Sequence, residues 1–261
     1  TNRKAPSFKR ILPRKLKELY NTSPLGMVSA LLYGIIQSAL FSLLAVYATS
    51  MNFTILEISI VTFLLAISGA ISQWPIGKLS DIFDRRRVIV YSTFAAGIFA
   101  ICTIFASGQM YLPDGLSTSK TWFYLFLILF SFVSLPMFAI ILAHTNDYIP
   151  KEKFVVAGAG LQFVFGMGAM TGPLLCSIFM NIVGLNGFWI FLAIFHCLIG
   201  AFGIHRMRVR ETTENPDSQF TPMPESITPL GMELNPQAQP IAEPTRSFDE
   251  FRSSLERRLK Q

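Results

Sequence analysis

Charge is what this sequence has least of. Lys, Arg, Asp and Glu make up 15% of its 261 residues, against about 25% in a soluble domain, while 51% are hydrophobic and the mean hydropathy is +0.46. The shortage is uneven, because residues 154–204 and 121–146 contain no Asp, Glu, Lys or Arg at all. At about 20 residues per crossing, the first stretch accommodates two membrane-spanning helices and the second one. Cysteine is scarce too: Cys102, Cys176 and Cys197 fall in three different apolar stretches, and an odd, dispersed set argues against a disulfide framework. No Cys and His cluster suggests a metal site, no G-x-S-x-G turn presents a nucleophile, and no Gly-rich turn follows a strand to cradle phosphate. An enzyme is therefore not expected, and neither is a cofactor, a metal or a nucleic-acid partner.

What is present is an alternation of apolar spans and short connectors. The spans are expected at Pro24–Ala48, Ile55–Ile76, Val88–Ala106, Trp122–Ala143, Phe154–Met180 and Phe188–Ile204. The segments at 1–23, 77–87, 147–153 and 205–210 hold seven, four, two and three basic residues, whereas 49–54, 107–121 and 181–187 together hold only Lys120. Short basic loops stay on the cytoplasmic side, which places both ends of the chain inside. Four segments follow: a basic amphipathic linker at 1–23, with Leu12, Leu16 and Leu19 at helical spacing for a membrane surface; a six-helix domain at 24–205; a disordered tail at 206–245, rich in Pro, Glu, Thr and Ser; and a short amphipathic basic helix at 246–261.

The charge that does exist is concentrated in "QWPIGKLSDIFDRRRVIV", residues 73–90. Its order is Gly77-x-Leu79-Ser80-Asp81-x-x-Asp84-Arg85-Arg86-Arg87, between the second and third spans. Gly77 permits close helix approach, Asp81 sits where a carboxylate can reach helix amides or a cation, and the arginines can pair with carboxylates or lipid phosphates. A simpler reading takes the arginines as markers of topology and leaves the Gly-x-Leu-Ser-Asp order unexplained. A second pattern lies in the fifth span, where Gly168 and Gly172 form a G-x-x-x-G face followed by Pro173, which is expected to bend the helix.

These motifs resemble the major facilitator superfamily, whose signature G-x-L-[SA]-D-[RK]-x-[GD]-R-[RK]-x recurs after the second helix of each six-helix half. The wording of "LPRKLKELYNTSPLG" and "AHTNDYIPKEKFVVAGAGLQFVFGMGAMTGPLL" is similar to the later half of the YcaD-like branch. The resemblance spans about residues 10–205. It implies an all-α membrane protein, six transmembrane helices forming one half of a major-facilitator fold built from 3+3 inverted repeats, in the cytoplasmic membrane. It also implies a secondary carrier moving a small solute by alternating access, with an N-terminal six-helix half as partner besides membrane lipid. The charged turn would latch the two halves in one state. Ile82 departs from the pattern, which is usually basic there. A chain that opens at Thr1 in such a linker reads as the C-terminal half of a longer protein; a half-size homodimeric carrier or a membrane scaffold is the alternative.

By the same resemblance the first, second, fourth and fifth spans border the cavity and the third and sixth face lipid. Cavity candidates are Tyr33, Gln37 and Ser38; Thr62, Ser72 and Gln73; Ser131 and Ser134; and Gln162 and Thr171. Each has a plainer reading, since such side chains also stabilise membrane helices by bonding neighbouring backbone. His144, in "HTNDYIPKEKF", reads either as a proton relay or as an interfacial histidine in a cytoplasmic loop. His196 reads as a packing or hydrogen-bonding residue.

Overall fold

A computed structural model describes residues 13–107 and 120–209. Of the tail expected over 206–245, residues 206–209 instead continue α8; the rest of it and the terminal helix expected over 246–261 lie outside the described residues. A short helix, α1 (Pro13–Thr22), precedes the spans: α2 (Pro24–Ser50), α3 (Ile55–Ile82), α4 (Arg85–Ala106), α5 (Lys120–Ser134) with α6 (Met137–Asn146), α7 (Phe154–Val183) and α8 (Gly187–Val209). Among the described residues these form six segments long and apolar enough to cross a membrane, α5 and α6 together making the fourth. This is the all-α, six-span architecture expected from the apolar stretches.

The helix ends follow local chemistry. Pro24 opens α2 at a position where its missing N–H costs nothing. Asn52 takes a left-handed φ of 57° in the tight turn to α3, a conformation asparagine tolerates. Thr54 and Glu57 then form a reciprocal capping box, and Lys120 pairs with Glu57 at 2.5 Å, tying the starts of α3 and α5 together.

Packing pairs α2 with α7, α3 with α5, and α4 with α8; α4 also meets α5, and α2 meets α8. The α2–α7 pair is backbone on backbone. A Cβ on Gly34 would enter the Phe165 carbonyl, one on Gly168 the Leu31 carbonyl, and one on Gly172 the Ile35 carbonyl and Ser38 hydroxyl. The glycine face read from the fifth span thus seats the first. The pairings are unchanged when α2, α3 and α4 are exchanged for α5–α6, α7 and α8.

The fourth span is broken, which the sequence reading did not anticipate. Leu135 and Pro136 separate α5 from α6, because Pro136 has no N–H to donate and disfavours helix in the residue before it. By contrast, α3 and α7 continue as single helices through Pro75 and Pro173. Exposure is uneven as well. Only 28% of residues along the apolar centre of α3 and 22% along that of α7 are buried, against 56% or more in each other span.

Candidate functional site

The charged turn is mostly helix. Gly77, Leu79, Ser80 and Asp81 all lie in the last turns of α3, and only Phe83 and Asp84 separate it from α4. Asp84 caps α4, accepting the Arg86 backbone N–H at 3.0 Å and the Arg86 guanidinium at 2.9–3.2 Å. A carboxylate here also opposes the positive end of the α4 dipole. Gly77 is buried and accepts the Ser80 hydroxyl at 2.7 Å through its carbonyl, so Ser80 is spent inside the helix. Leu79 and Arg87 are exposed.

Arg85 does the joining. Its side chain is 7% exposed. One terminal nitrogen donates to Asp81 Oδ1 at 2.8 Å, and the other donates to the Ala143 carbonyl at 3.1 Å and to the Asp147 carboxylate. Ala143 and Asp147 belong to the C-terminal end of α6, where helix carbonyls run out of partners and the dipole is negative. A planar guanidinium can serve three acceptors in fixed directions, which an ammonium on a single stem cannot do with equal geometry. One buried cation therefore fastens the end of α3, the start of α4 and the end of α6. Asp81 remains 35% exposed on its outer side. Beside it, Ile82 and Phe83 are 65% and 56% exposed, so the position that departs from the signature presents an apolar tip.

His144 is corrected by this geometry. It lies inside α6, 3% exposed, with its ring against Tyr148 at 5.1 Å. The loop-like composition of its neighbours concealed a helix that runs on to Asn146.

The cavity candidates separate into two groups. Tyr33 is fully buried, and its hydroxyl donates to the carbonyls of Ser134 and Leu135, both at 3.1 Å, at the α5–α6 break. The Ser134 hydroxyl in turn meets His196 Nε2 at 2.9 Å, and His196 Nδ1 meets the Leu192 carbonyl at 2.7 Å. Since a carbonyl only accepts, Nδ1 carries a proton and donates it to Leu192. This network links α2, α5 and α8 where the fourth span is interrupted. Ser38, Ser131, Thr62, Ser72 and Thr171 each donate to a carbonyl of their own helix, and Gln73 is half-buried. Gln37, 5% exposed on the packed helix α2, keeps both amide atoms without a partner among the described residues, as does the amide oxygen of half-buried Gln162 on α7. Among the cavity candidates, those two amides hold the buried polar atoms left without a partner among the described residues.

Tyr33→Phe deletes the donor to the broken span while keeping its shape. It is expected to cost about 1–3 kcal/mol, the penalty for leaving buried carbonyls unserved, read as a lowered midpoint of thermal unfolding in detergent.

With six apolar spans and a Gly-x-Leu-Ser-Asp helix end in place, the Major Facilitator Superfamily model matches residues 26–251. The chain belongs to the major facilitator superfamily. It is 23% identical over 198 residues to an MFS-type transporter, YE1530, of Yersinia enterocolitica, covering 76% of this chain and 46% of that protein. It is 21% identical over 196 residues to the MFS-type transporter YcaD of Escherichia fergusonii, covering 71% and 48%. The Bacillus subtilis MFS-type transporter YfkF matches over 146 residues at 23% identity. The chain thus spans about half the length of the curated relatives it matches most fully. As a facilitator-family protein it is a multi-pass membrane protein of a transporter family.

Asp147 is the site residue that sequence reasoning missed. The sequence shows an aspartate in the same basic connector as Lys151 and Lys153, and only packing of α6 beside α4 assigns it to Arg85. A buried arginine at a helix start does signal a counter-charge elsewhere, but not which one.

Proposed function

We propose that this chain supplies the second six-helix half of a secondary carrier that moves a small solute across the cytoplasmic membrane by alternating access, with the charged turn acting as a latch at the cytoplasmic end. The observation that carries the reading is the three-way fastening of α3, α4 and α6 by Arg85, which leaves Asp81 partly exposed at the end of the second-least buried span. The free faces of α3 and α7 have the character of surfaces that another helical unit covers, and the self-matching set of helix pairings supports a 3+3 inverted repeat. Carrier sites lie between such halves near the midplane. Gln37 and Gln162 are the favoured solute-facing groups; both are uncharged, which suits a neutral or weakly polar solute. Tyr33 and Ser134 hold the broken span in shape, next to that region.

The topology follows from the basic connectors, with the ends of α1 and α8 in the cytoplasm. A cysteine placed at Ser107, in a variant lacking Cys102, Cys176 and Cys197, is expected to react with an impermeant maleimide added outside intact cells. Reaction only after the inner face is opened overturns the orientation. Uptake or efflux by the complete protein, assayed over sugars, organic acids and hydrophobic amines, tests the carrier reading itself; flux of none of them above protein-free vesicles counts against it.

A further inference from the structure

The third and sixth spans meet along a seam of small residues. A Cβ on Gly97 would lie 3.0 Å from Cys197 Sγ, one on Gly200 2.7 Å from the Phe94 ring, and one on Gly203 2.6 Å from the Val90 side chain. These contacts run α4 and α8 antiparallel and set the start of α4 beside the end of α8. Close backbones with small side chains leave a furrow between the outer ridges of two helices. Here it is a groove of about 620 Å³, lined by buried Gly97 and Ala193 and, on its ridges, by exposed Ile98, Ile194 and Leu198.

Each ridge leads to a cation. On α4 the exposed residues Ile98, Tyr91 and Arg87 share one face, and on α8 so do Ile194, Leu198, Ala201, His205 and Arg208, since spacings of three, four and seven keep to one helical stripe. Tyr91, 72% exposed, stands one turn from Arg87, where a tyrosine suits the membrane interface. Neither α4 nor α8 contains an Asp or Glu. Asp84, the carboxylate that precedes α4, is taken by Arg86. Among the described residues neither Arg87 nor Arg208 forms an ion pair. Two guanidiniums thus stand at one end of an apolar groove with no carboxylate on their face.

Along the helix axis, Ala201 and Ile194 lie about 10 and 20 Å from Arg208, which is the depth of the acyl chains in the adjoining leaflet when the arginines stand among its headgroups. Arginines at that boundary attract anionic lipid, and a guanidinium matches a phosphate with two parallel N–H donors. We infer that the α4–α8 groove binds one anionic phospholipid, its phosphate held by Arg87 and Arg208 and one acyl chain lying along Ile98, Ile194 and Ala201. The lipid staples the start of α4 to the end of α8. The inference rests on the reading above only in facing the third and sixth spans to lipid, and it leaves α3 and α7 to a second six-helix unit.

The test uses the full chain purified in detergent and native mass spectrometry, with phosphatidylglycerol, phosphatidylcholine of the same acyl chains, and inorganic phosphate as separate probes. One phosphatidylglycerol retained per chain, at least about fivefold in excess of phosphatidylcholine and with no retained phosphate, is the expected result. The double variant Arg87→Gln with Arg208→Gln, and Ala201→Trp, which fills the groove, should each reduce that retention about fivefold or more, while Lys151→Gln with Lys153→Gln, in the turn before α7, leaves it unchanged. Phosphatidylglycerol with a photoreactive diazirine midway along one acyl chain should label α4 and α8. Equal retention of both lipids with the label still on α4 and α8, binding of phosphate alone, or parental retention by the double arginine variant overturns the site alone. Labelling of α3 or α7 in place of α4 and α8 overturns both the site and the reading of which spans face lipid. If Ala201→Trp does not fold, the arginine variant decides.

Discussion

Arg85→Gln is expected to lower stability by about 3–5 kcal/mol, because it leaves the Asp81 and Asp147 carboxylates facing each other's helix ends without the cation between them. Arg85 is 7% exposed and Asp147 14%, so little water is available to replace the lost charge. In a bundle of this size that is a fall of roughly 10 °C in the unfolding midpoint. Arg85→Lys is expected to recover only part of it. An ammonium restores the charge but cannot reach Asp81, Asp147 and the Ala143 carbonyl together. Asp147→Asn should be milder, since the amide oxygen still accepts and Arg85 keeps Asp81. If Arg85→Gln unfolds within about 2 °C of the parent, the bridge is not what fastens these three helices.

The second large effect concerns the seam between α2 and α7. Gly168→Leu puts a branched side chain where the Leu31 carbonyl and the Ile35 amide already sit. Backbone cannot yield as a side-chain tip does, and overpacking of one or two methylenes alone costs about 1–3 kcal/mol, so this variant is expected to lose the folded, monodisperse species altogether. Gly166→Ala supplies the contrast. It lies two residues away on the same helix, yet a Cβ there meets nothing within 4 Å. That change should be neutral or stabilising by up to about 1 kcal/mol, as alanine is the better helix former. Size-exclusion profiles of the two variants check the pair. A monodisperse Gly168→Leu protein would mean that α2 and α7 do not meet backbone to backbone.

The six spans were legible because hydropathy and charge-free length are summed over some 20 residues, and no tertiary contact can disguise a signal that long. The glycine face of α7 was legible for a similar reason: Gly168 and Gly172 recur at helical spacing. Three features were not. In sequence Pro136 carries no pattern that sets it apart from Pro75, through which a helix continues; what distinguishes it is Tyr33 donating to the carbonyls of Ser134 and Leu135. The partnership of Arg85 with Asp147 crosses 62 residues and exists only because α6 ends beside the start of α4. Thr, Asn and Asp after His144 suggest a loop, one of its two readings, and burial within the bundle overrides those weak helix preferences. The charged turn itself was recognised from its order. That it is almost entirely helix, with Phe83 and Asp84 as the whole connector, shows only in the folded chain.

The arrangement also gives Ile82 a meaning. Where the signature usually carries a cation, an exposed isoleucine stands beside exposed Phe83 and the partly exposed Asp81. On the proposed reading, what the end of α3 offers a second six-helix unit is one partly exposed carboxylate flanked by apolar groups. Such a contact is dominated by a single charge, and removing that charge should be felt directly in the balance between inward-open and inward-closed states.

The most direct measurement is therefore made on the complete carrier in vesicles: the rate at which a cysteine at Leu79, exposed at the end of α3, reacts with an impermeant reagent on the cytoplasmic face, with and without Asp81→Asn. The account predicts a reaction several-fold faster in the Asp81→Asn protein and a solute flux reduced about tenfold, as the inward-closed state loses roughly 1.4 kcal/mol or more. Unchanged labelling together with parental flux would contradict it.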